Sequence, residues 1–159
     1  PPVPAARMHR SDRAPRPRCP RRGASPSTTT MEHLHPKQAY DIVTASPNTL
    51  LIDCRTEVEF YYVGHPTDAI NIEWNRAPDF ELNPHFADEV LRMAGRKDRP
   101  IILICRSGKR SVDAGLELEK HGFTQVSNVL EGFEGELDAE HHRGTLGGWR
   151  KHGLPWRQV

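Results

Sequence analysis

The sequence predicts an α/β fold with a central, mainly parallel sheet that is covered by helices on both faces. Short strands alternate with helical segments along the chain, which is the order expected of strand–helix–strand units. The two clearest strands, residues 50–52 and 101–104, are apolar throughout, which is typical of strands buried on both faces of a parallel sheet. In such sheets ligands bind beyond the carboxyl ends of the strands, so functional residues are expected there.

Each element has its own signal. Pro36 suits a first helical position, and Ala39, Ile42 and Val43 recur at helical spacing, which predicts a helix over residues 36–45. A strand over 50–52 leads into a polar turn at 53–59, and a second strand is predicted over 69–72. The remaining predictions are a helix over 84–94 with Phe86, Val90, Leu91 and Ala94 on one face, a strand over 101–104, a helix over 111–121 with Val112, Leu116 and Leu118 apolar, and a strand over 126–130.

At 159 residues the chain fits one domain plus a tail. Residues 1–30 hold seven Arg, one acidic residue and many Pro, Ser and Thr, a composition that predicts disorder. This leader is either an organelle-targeting segment or, as its helix-breaking prolines favour, sequence upstream of a start near Met31. Residues 31–159 are predicted to form the single folded domain.

The charge and the apolar runs of the predicted domain argue against two classes of partner, nucleic acid and membrane. Residues 31–159 contain 15 Lys and Arg against 20 Asp and Glu, so the dense basic face of a nucleic-acid-binding domain is not expected. No run approaches the roughly 18 to 20 apolar residues of a membrane-spanning helix. The three cysteines, Cys19, Cys54 and Cys105, show no pairing pattern; free thiols suit a reducing compartment, so we expect a cytoplasmic protein, and a monomer.

Cys105 is the candidate catalytic residue. It ends the strand over residues 101–104, and the segment CRSGKRS leads from it into the next helix. A thiol at this position faces loop amides and the positive end of the helix dipole, which lower its pKa and make it a nucleophile. The alternative is a buried structural thiol.

The loop after Cys105 is predicted to bind a small anion. Arg106, Lys109 and Arg110 place three cations within five residues, and Gly108 permits the tight backbone turn that an amide cradle requires. Together with Ser107 they form the predicted substrate-binding loop. A thiolate there can attack a sulfane sulfur, as in thiosulfate, and keep it as a persulfide.

Five segments in order, LLIDCRTEVEF, VGHPTDAINI, ILICRSGKRS, VSNVLEGFEG and GGWRKHGLPW, resemble the rhodanese-like sulfurtransferases over about residues 35–157. The resemblance implies the rhodanese α/β fold, a persulfide on Cys105, and Arg106, Ser107, Gly108, Lys109 and Arg110 as the anion-binding loop. It implies thiosulfate sulfurtransferase activity with a small anionic sulfur donor and cyanide, a thiol or a protein thiol as acceptor, without a cofactor. It also implies a structural role for Asp53 and Arg55.

Two alternative functions stay open. One is a module that carries sulfur only for a partner protein, or merely docks with it. The other is phosphate or arsenate chemistry, because phosphatases of the dual-specificity cell-cycle type resemble this fold. Their loop reads C-x5-R, whereas here Arg110 comes one position earlier and Ser occupies position 111, which favours a sulfur atom over a tetrahedral phosphate.

Three further features are interpreted conservatively. Cys54 is predicted to be a packed small side chain, with a resolving thiol as the alternative. His141, His142 and His152 are predicted to be solvated, and no metal site is expected. Residues 132–147 either line the mouth of the active site and select the acceptor or form a solvated loop.

Overall fold

The structure is a computed structural model that describes residues 31–159. The predicted disorder of residues 1–30, and Cys19 with it, lies outside the described residues. The elements in chain order are β1 (Glu32–Leu34), α1 (Pro36–Ala45), β2 (Leu50–Asp53), a π-helix (Glu59–Val63), β3 (His65–Pro66), β4 (Ile70–Asn71), β5 (Asn75–Arg76), β6 (Glu81–Leu82), α2 (Phe86–Ala94), β7 (Ile101–Ile104), α3 (Arg110–Lys120), β8 (Val126–Val129) and β9 (Trp156–Arg157).

Five strands form the central sheet in the order β1-β8-β7-β2-β4, and each described pairing within it is parallel. The strand β7 therefore lies in the middle, between β8 and β2. Two small antiparallel pairs, β3 with β9 and β5 with β6, lie outside this sheet. The carboxyl end of β7, where Cys105 follows, is thus flanked by the ends of two neighbouring strands.

Both faces of the sheet are covered, as predicted. Alternate strand residues point to opposite faces, so Ile52 and Leu103 pack with the apolar sides of α2 and α3. Leu51 and Ile102 pack on the other face against α1 and the C-terminal segment. The predicted α/β class and mainly parallel sheet are confirmed.

The helix α3 packs more closely on the sheet than its apolar pattern suggested. Leu116, predicted on the buried face, is 46% exposed, whereas Ala114 is fully buried. Gly115 lies so near the sheet face that a methyl group on it would come 2.5 Å from Met31 Sδ. Small residues such as Ala114 and Gly115 allow the helix to lie close to the sheet. The part of the helix surface that is buried is then narrower, and Leu116 lies outside it. Ile42 of α1 is likewise 39% exposed.

Within residues 31–159, no helix is both long and apolar enough to cross a bilayer.

Candidate active site

Cys105 directly follows β7 and its side chain lies at the floor of a cavity. The residue is only 1% exposed, yet it lines a cavity of about 320 Å³ together with Glu59, Phe80, Arg106, Ser107, Lys109 and Arg110. A second, larger cavity of about 660 Å³ beside β4 contains no cysteine. The thiol is therefore recessed but open to a small molecule from one side.

The loop amides point at the sulfur, as the sequence predicted. Gly108 N–H donates to Cys105 Sγ at 3.2 Å, and the amide of Ser111, in the first turn of α3, helps to lower the pKa of the thiol. Gly108 has φ of +95°, a conformation that only glycine adopts without strain. The Ser111 hydroxyl lies 3.2 Å from Sγ and also contacts Asn128 of β8.

These contacts lower the pKa of Cys105 to about 5. The largest cause is a hydrogen bond from the neighbouring Cys54 thiol; burial opposes it, and the hydroxyl and amide of Ser111 and the amide of Gly108 add to the lowering. Hydrogen bonds to an anion favour its charged form. Cys105 is consequently a thiolate at neutral pH.

The three loop cations differ in their surroundings. Arg106 and Lys109 are exposed at the rim, and Lys109 Nζ lies 3.9 Å from a Glu136 carboxylate oxygen. Arg110 instead forms a two-pronged ion pair with Glu59, with N···O distances of 2.9 and 2.7 Å. Since its charge is already compensated, Arg110 contributes less free positive charge to the cavity than the sequence suggested.

The turn before the π-helix orients Glu59. Thr56 N–H and its hydroxyl both donate to Glu59 Oε2, at 3.1 and 3.0 Å. Burial would raise the pKa of Glu59, but the hydrogen bonds and charge of Arg110, with the Thr56 bonds, lower it to about 2. The carboxylate is therefore ionised at neutral pH and fixes the Arg110 side chain at the cavity wall.

The base of the 132–147 segment supports the catalytic loop from behind. Phe133 N–H donates to the Cys105 carbonyl at 2.8 Å, and Glu134 N–H donates to the Arg106 carbonyl at 2.9 Å. These bonds turn the Cys105 and Arg106 carbonyls away from the sulfur, and the Gly108 amide of the loop points towards it. None of residues 132–147 lines the cavity that contains Cys105, and residues 139–142 are exposed.

A buried ion pair supports the same region. Asp53 and Arg55 are both fully buried, with Arg55 Nη2 2.6 Å from Asp53 Oδ2 and also 2.6 Å from the Gly64 carbonyl. The Arg55 guanidinium lies 4.7 Å from the centre of the Phe133 ring, within the range of a cation–π contact. Neither residue lines the cavity, and their contacts are those of a structural pair.

A sequence model of the rhodanese-like domain matches residues 35–138. The chain belongs to the rhodanese-like family. An uncharacterised protein of Rickettsia conorii is 30% identical over 134 residues, which cover 80% of this chain and 98% of the relative. Thiosulfate sulfurtransferase 16, chloroplastic, of Arabidopsis thaliana is 35% identical over 119 residues, 74% of this chain and 85% of that protein.

Among solved structures, the crystal structure of Rv0390 from M. tuberculosis matches this rhodanese-like chain with a TM-score of 0.70 and 40% identity, over 80% of this chain and 98% of that one. The resemblance predicted from the five sequence segments is therefore confirmed at the level of fold and family.

Two cavity residues of this rhodanese-like domain were missed by the sequence reasoning. Glu59 had a local signal, because Thr56 and Glu59 match the T-x-x-E capping box that begins a helical turn. Phe80 had none: it is 55% exposed, and the antiparallel pair β5–β6 carries it to the cavity rim. It is an apolar member of the cavity lining that also includes Arg106 and Lys109.

The histidines predicted to be solvated are exposed. His142 contacts Glu140 at 3.9 Å and His152 contacts Glu131 at 3.2 Å. Within the part of the chain that the structure describes, no cluster of three or more His, Cys, Asp or Glu has the geometry to hold a metal ion.

Proposed function

We propose that this rhodanese-like protein is a sulfurtransferase that moves a sulfane sulfur from thiosulfate, or a similar small anionic donor, to cyanide or a thiol acceptor through a persulfide on Cys105. The observation that carries the proposal is the Cys105 sulfur, held as a thiolate by inward-pointing hydrogen bonds at the floor of a small cavity. The sulfurtransferase name of the Arabidopsis relative supports it.

In the first step the Cys105 thiolate attacks the outer sulfur of thiosulfate. A bond forms between Sγ and that sulfur, the sulfur–sulfur bond of the donor breaks, and sulfite leaves with the electron pair. Arg106 and Lys109, exposed at the rim, attract the dianionic donor. Arg110 is held by Glu59, so its role is to shape the wall beside the incoming sulfur.

In the second step cyanide or a thiolate attacks the outer sulfur of the persulfide, and the Cys105 thiolate leaves. The same groups that lower the pKa of Cys105 make it a good leaving group, since a more acidic thiol departs faster. The Gly108 amide, which donates to Sγ, stabilises the negative charge that returns to Cys105 as it leaves. No cofactor takes part in either step.

A thiol of another protein is one possible acceptor. We further propose that the protein acts as a monomer in a reducing compartment such as the cytoplasm. Cys54 and Cys105 are both free, as that environment favours.

The test is to incubate the protein with thiosulfate, remove the excess donor and measure its intact mass, in a Cys19→Ser background so that only two thiols remain. We expect a gain of about 32 Da, one sulfur atom, which cyanide removes as thiocyanate. Cys105→Ser should gain nothing. A wild-type protein that gains no sulfur from thiosulfate or polysulfide, or that hydrolyses an aryl phosphate instead, would overturn the proposal.

A further inference from the structure

Cys54 is a buried thiol that the proposed transfer cycle does not use as a reactant. It follows β2, while Cys105 follows β7, and these two strands are paired in parallel with Asp53 opposite Ile104. The pairing continues by one residue, because Cys54 N–H donates to the Ile104 carbonyl at 2.9 Å. The two cysteines are therefore neighbours across the centre of the sheet.

Their side chains point to the same face. Both belong to the core cluster that contains Ile52 and Leu103, the residues two positions before them on the same strands. Paired strands lie about 4.8 Å apart, and a disulfide requires a Cα separation of roughly 4.4 to 6.8 Å with side chains on the same side. The paired backbone therefore meets the separation that a disulfide between Cys54 and Cys105 requires.

The Cys54 sulfur approaches Cys105 from the core. Cys54 is fully buried and does not line the cavity that contains Cys105. Its thiol donates to the Ile104 carbonyl oxygen at 3.4 Å. The hydrogen bond to Cys105, followed by burial, raises the pKa of Cys54 well above its ordinary value, so it stays protonated beside the resting thiolate.

A persulfide on Cys105 changes this arrangement. The outer sulfur and its charge occupy the cavity, while Cys54 lies outside the cavity, on the core side of Cys105. Attack on a disulfide-type sulfur proceeds with the attacking and leaving sulfurs on opposite sides of the central one. Cys54 is placed for this displacement at the inner sulfur, and not for removal of the outer one.

We propose that Cys54 is a resolving thiol that discharges the Cys105 persulfide as hydrosulfide and leaves a Cys54–Cys105 disulfide. The inference rests on the proposed sulfurtransferase function. A bond forms between the two Sγ atoms, the bond from Cys105 Sγ to the outer sulfur breaks, and the outer sulfur leaves with the electron pair. Cys54 loses its thiol proton in this step and the outer sulfur gains one proton, so that it departs as hydrosulfide. The Cys54 sulfur is oxidised from the thiol to the disulfide level, Cys105 Sγ stays at the level it reached in the persulfide, and the outer sulfur is reduced to sulfide.

An external dithiol resets the pair. It reduces the Cys54–Cys105 disulfide by thiol–disulfide exchange and is itself oxidised to a disulfide. The net reaction converts thiosulfate and a dithiol into sulfite, hydrosulfide and an oxidised dithiol. This second outlet for the sulfur is a sulfide-producing activity that needs no separate acceptor for the sulfane atom.

The experiment loads the Cys19→Ser protein with one equivalent of thiosulfate, removes the donor, and follows two quantities without reductant: free sulfide, trapped with a fluorescent bimane, and intact mass. With Cys54 present, the gain of about 32 Da should decay to a loss of about 2 Da relative to the reduced protein, with about one equivalent of sulfide released. Non-reducing peptide mapping should find Cys54 joined to Cys105.

Cys54→Ser is the matched variant, because it keeps a hydroxyl donor beside Cys105 but cannot form a disulfide. Once fully loaded, it should have the same mass gain, keep it, and release sulfide at least tenfold more slowly. If the protein with Cys54 retains its extra sulfur as long as the Cys54→Ser variant does, the inference is wrong while the proposed function stands. If neither form ever gains sulfur, both are overturned.

Discussion

At Cys105, hydrogen bonds account for the low pKa of the thiol more than neighbouring cationic side chains do. That Cys105 is the nucleophile stays a prediction. The sequence predicted the inward-facing Gly108 amide and the glycine turn correctly, because a strand end, a tight loop and a helix start follow one another within seven residues, 105–111. The sequence overestimated the free positive charge that Arg110 brings to the cavity, because the compensating carboxylate of Glu59 lies 51 positions away along the chain. Cys54 was likewise brought to Cys105 only by the pairing of β2 with β7.

A pH profile of Cys105 alkylation tests this account. Iodoacetamide is neutral, so its rate reports the thiolate fraction. We expect the rate to rise with pH through an inflection near the pKa of about 5 and to stay constant above it. Ser111→Ala removes one donor to the sulfur and should raise the inflection by about one pH unit.

Ser107→Ala is the control for that variant, since it removes a hydroxyl from the same loop that is not a cause of the lowered pKa. Its inflection should match the wild-type value. A wild-type inflection near the ordinary thiol pKa of about 8.5 would contradict the assignment of Cys105 as a thiolate.

At the scale of elements, the turn that follows β8 behaves as part of the catalytic loop. Its backbone amides hold the carbonyls of Cys105 and Arg106. Polar, glycine-rich composition suggested a loop that is either solvated or at the cavity mouth, and only the exposed tip fits the first description. Backbone hydrogen bonds between distant segments leave no residue pattern, so the base of this segment could not be assigned from sequence.

Gly132→Ala should separate support of the loop from general stability. A methyl group on Gly132 would lie 2.5 Å from the Cys105 carbonyl oxygen and 2.6 Å from that of Arg106, so the catalytic loop must move. We expect a loss of alkylation rate and of sulfur loading of at least tenfold, together with a lower free energy of unfolding, measured by urea denaturation.

The matched control is Gly153→Ala. Gly153 has φ of +71°, close to the +64° of Gly132, but a methyl group there meets no atom within 4 Å. This variant should lose only about 1 kcal/mol of unfolding free energy, the cost of placing alanine in the left-handed backbone region, and should take up sulfur normally. Equal loss of loading in both variants would show that left-handed strain, and not the displaced loop, is responsible.

For the whole molecule, segments with a clear apolar pattern were predicted well, whereas short segments without one were not. The helix α1 and the strand β7 have the predicted bounds, because long apolar periodicity and burial act together there. The edge strand β1 was missed: its residues Glu32–Leu34 are mostly polar and become a strand only by pairing with β8. The π-helix and the strand pairs β3–β9 and β5–β6 were missed for the same reason. Each of these elements has only two to five residues, and such a short segment shows no recognisable hydrophobic pattern.

The ion pair of Glu59 and Arg110 joins the π-helix to the start of α3 and should make the stability of the whole domain depend on pH. The folded-state pKa of Glu59 is lowered from 4.5 to about 2, so the folded protein binds this proton more weakly than the unfolded chain does. The resulting stabilisation is fully present above pH 4.5 and is lost as the pH falls towards about 2.

Glu59→Gln removes this titration. Measured by urea denaturation near neutral pH, the variant should be less stable than the wild type by on the order of 1 to 3 kcal/mol, because the pair is mostly but not fully shielded from solvent. The difference should shrink when both proteins are compared at about pH 3. Asp41→Asn, which breaks an exposed pair with Lys37 at 3.9 Å, should change stability little at either pH. A Glu59→Gln difference that stays constant between the two pH values would mean that the carboxylate acts through packing alone and that its charge on Arg110 does not stabilise the fold.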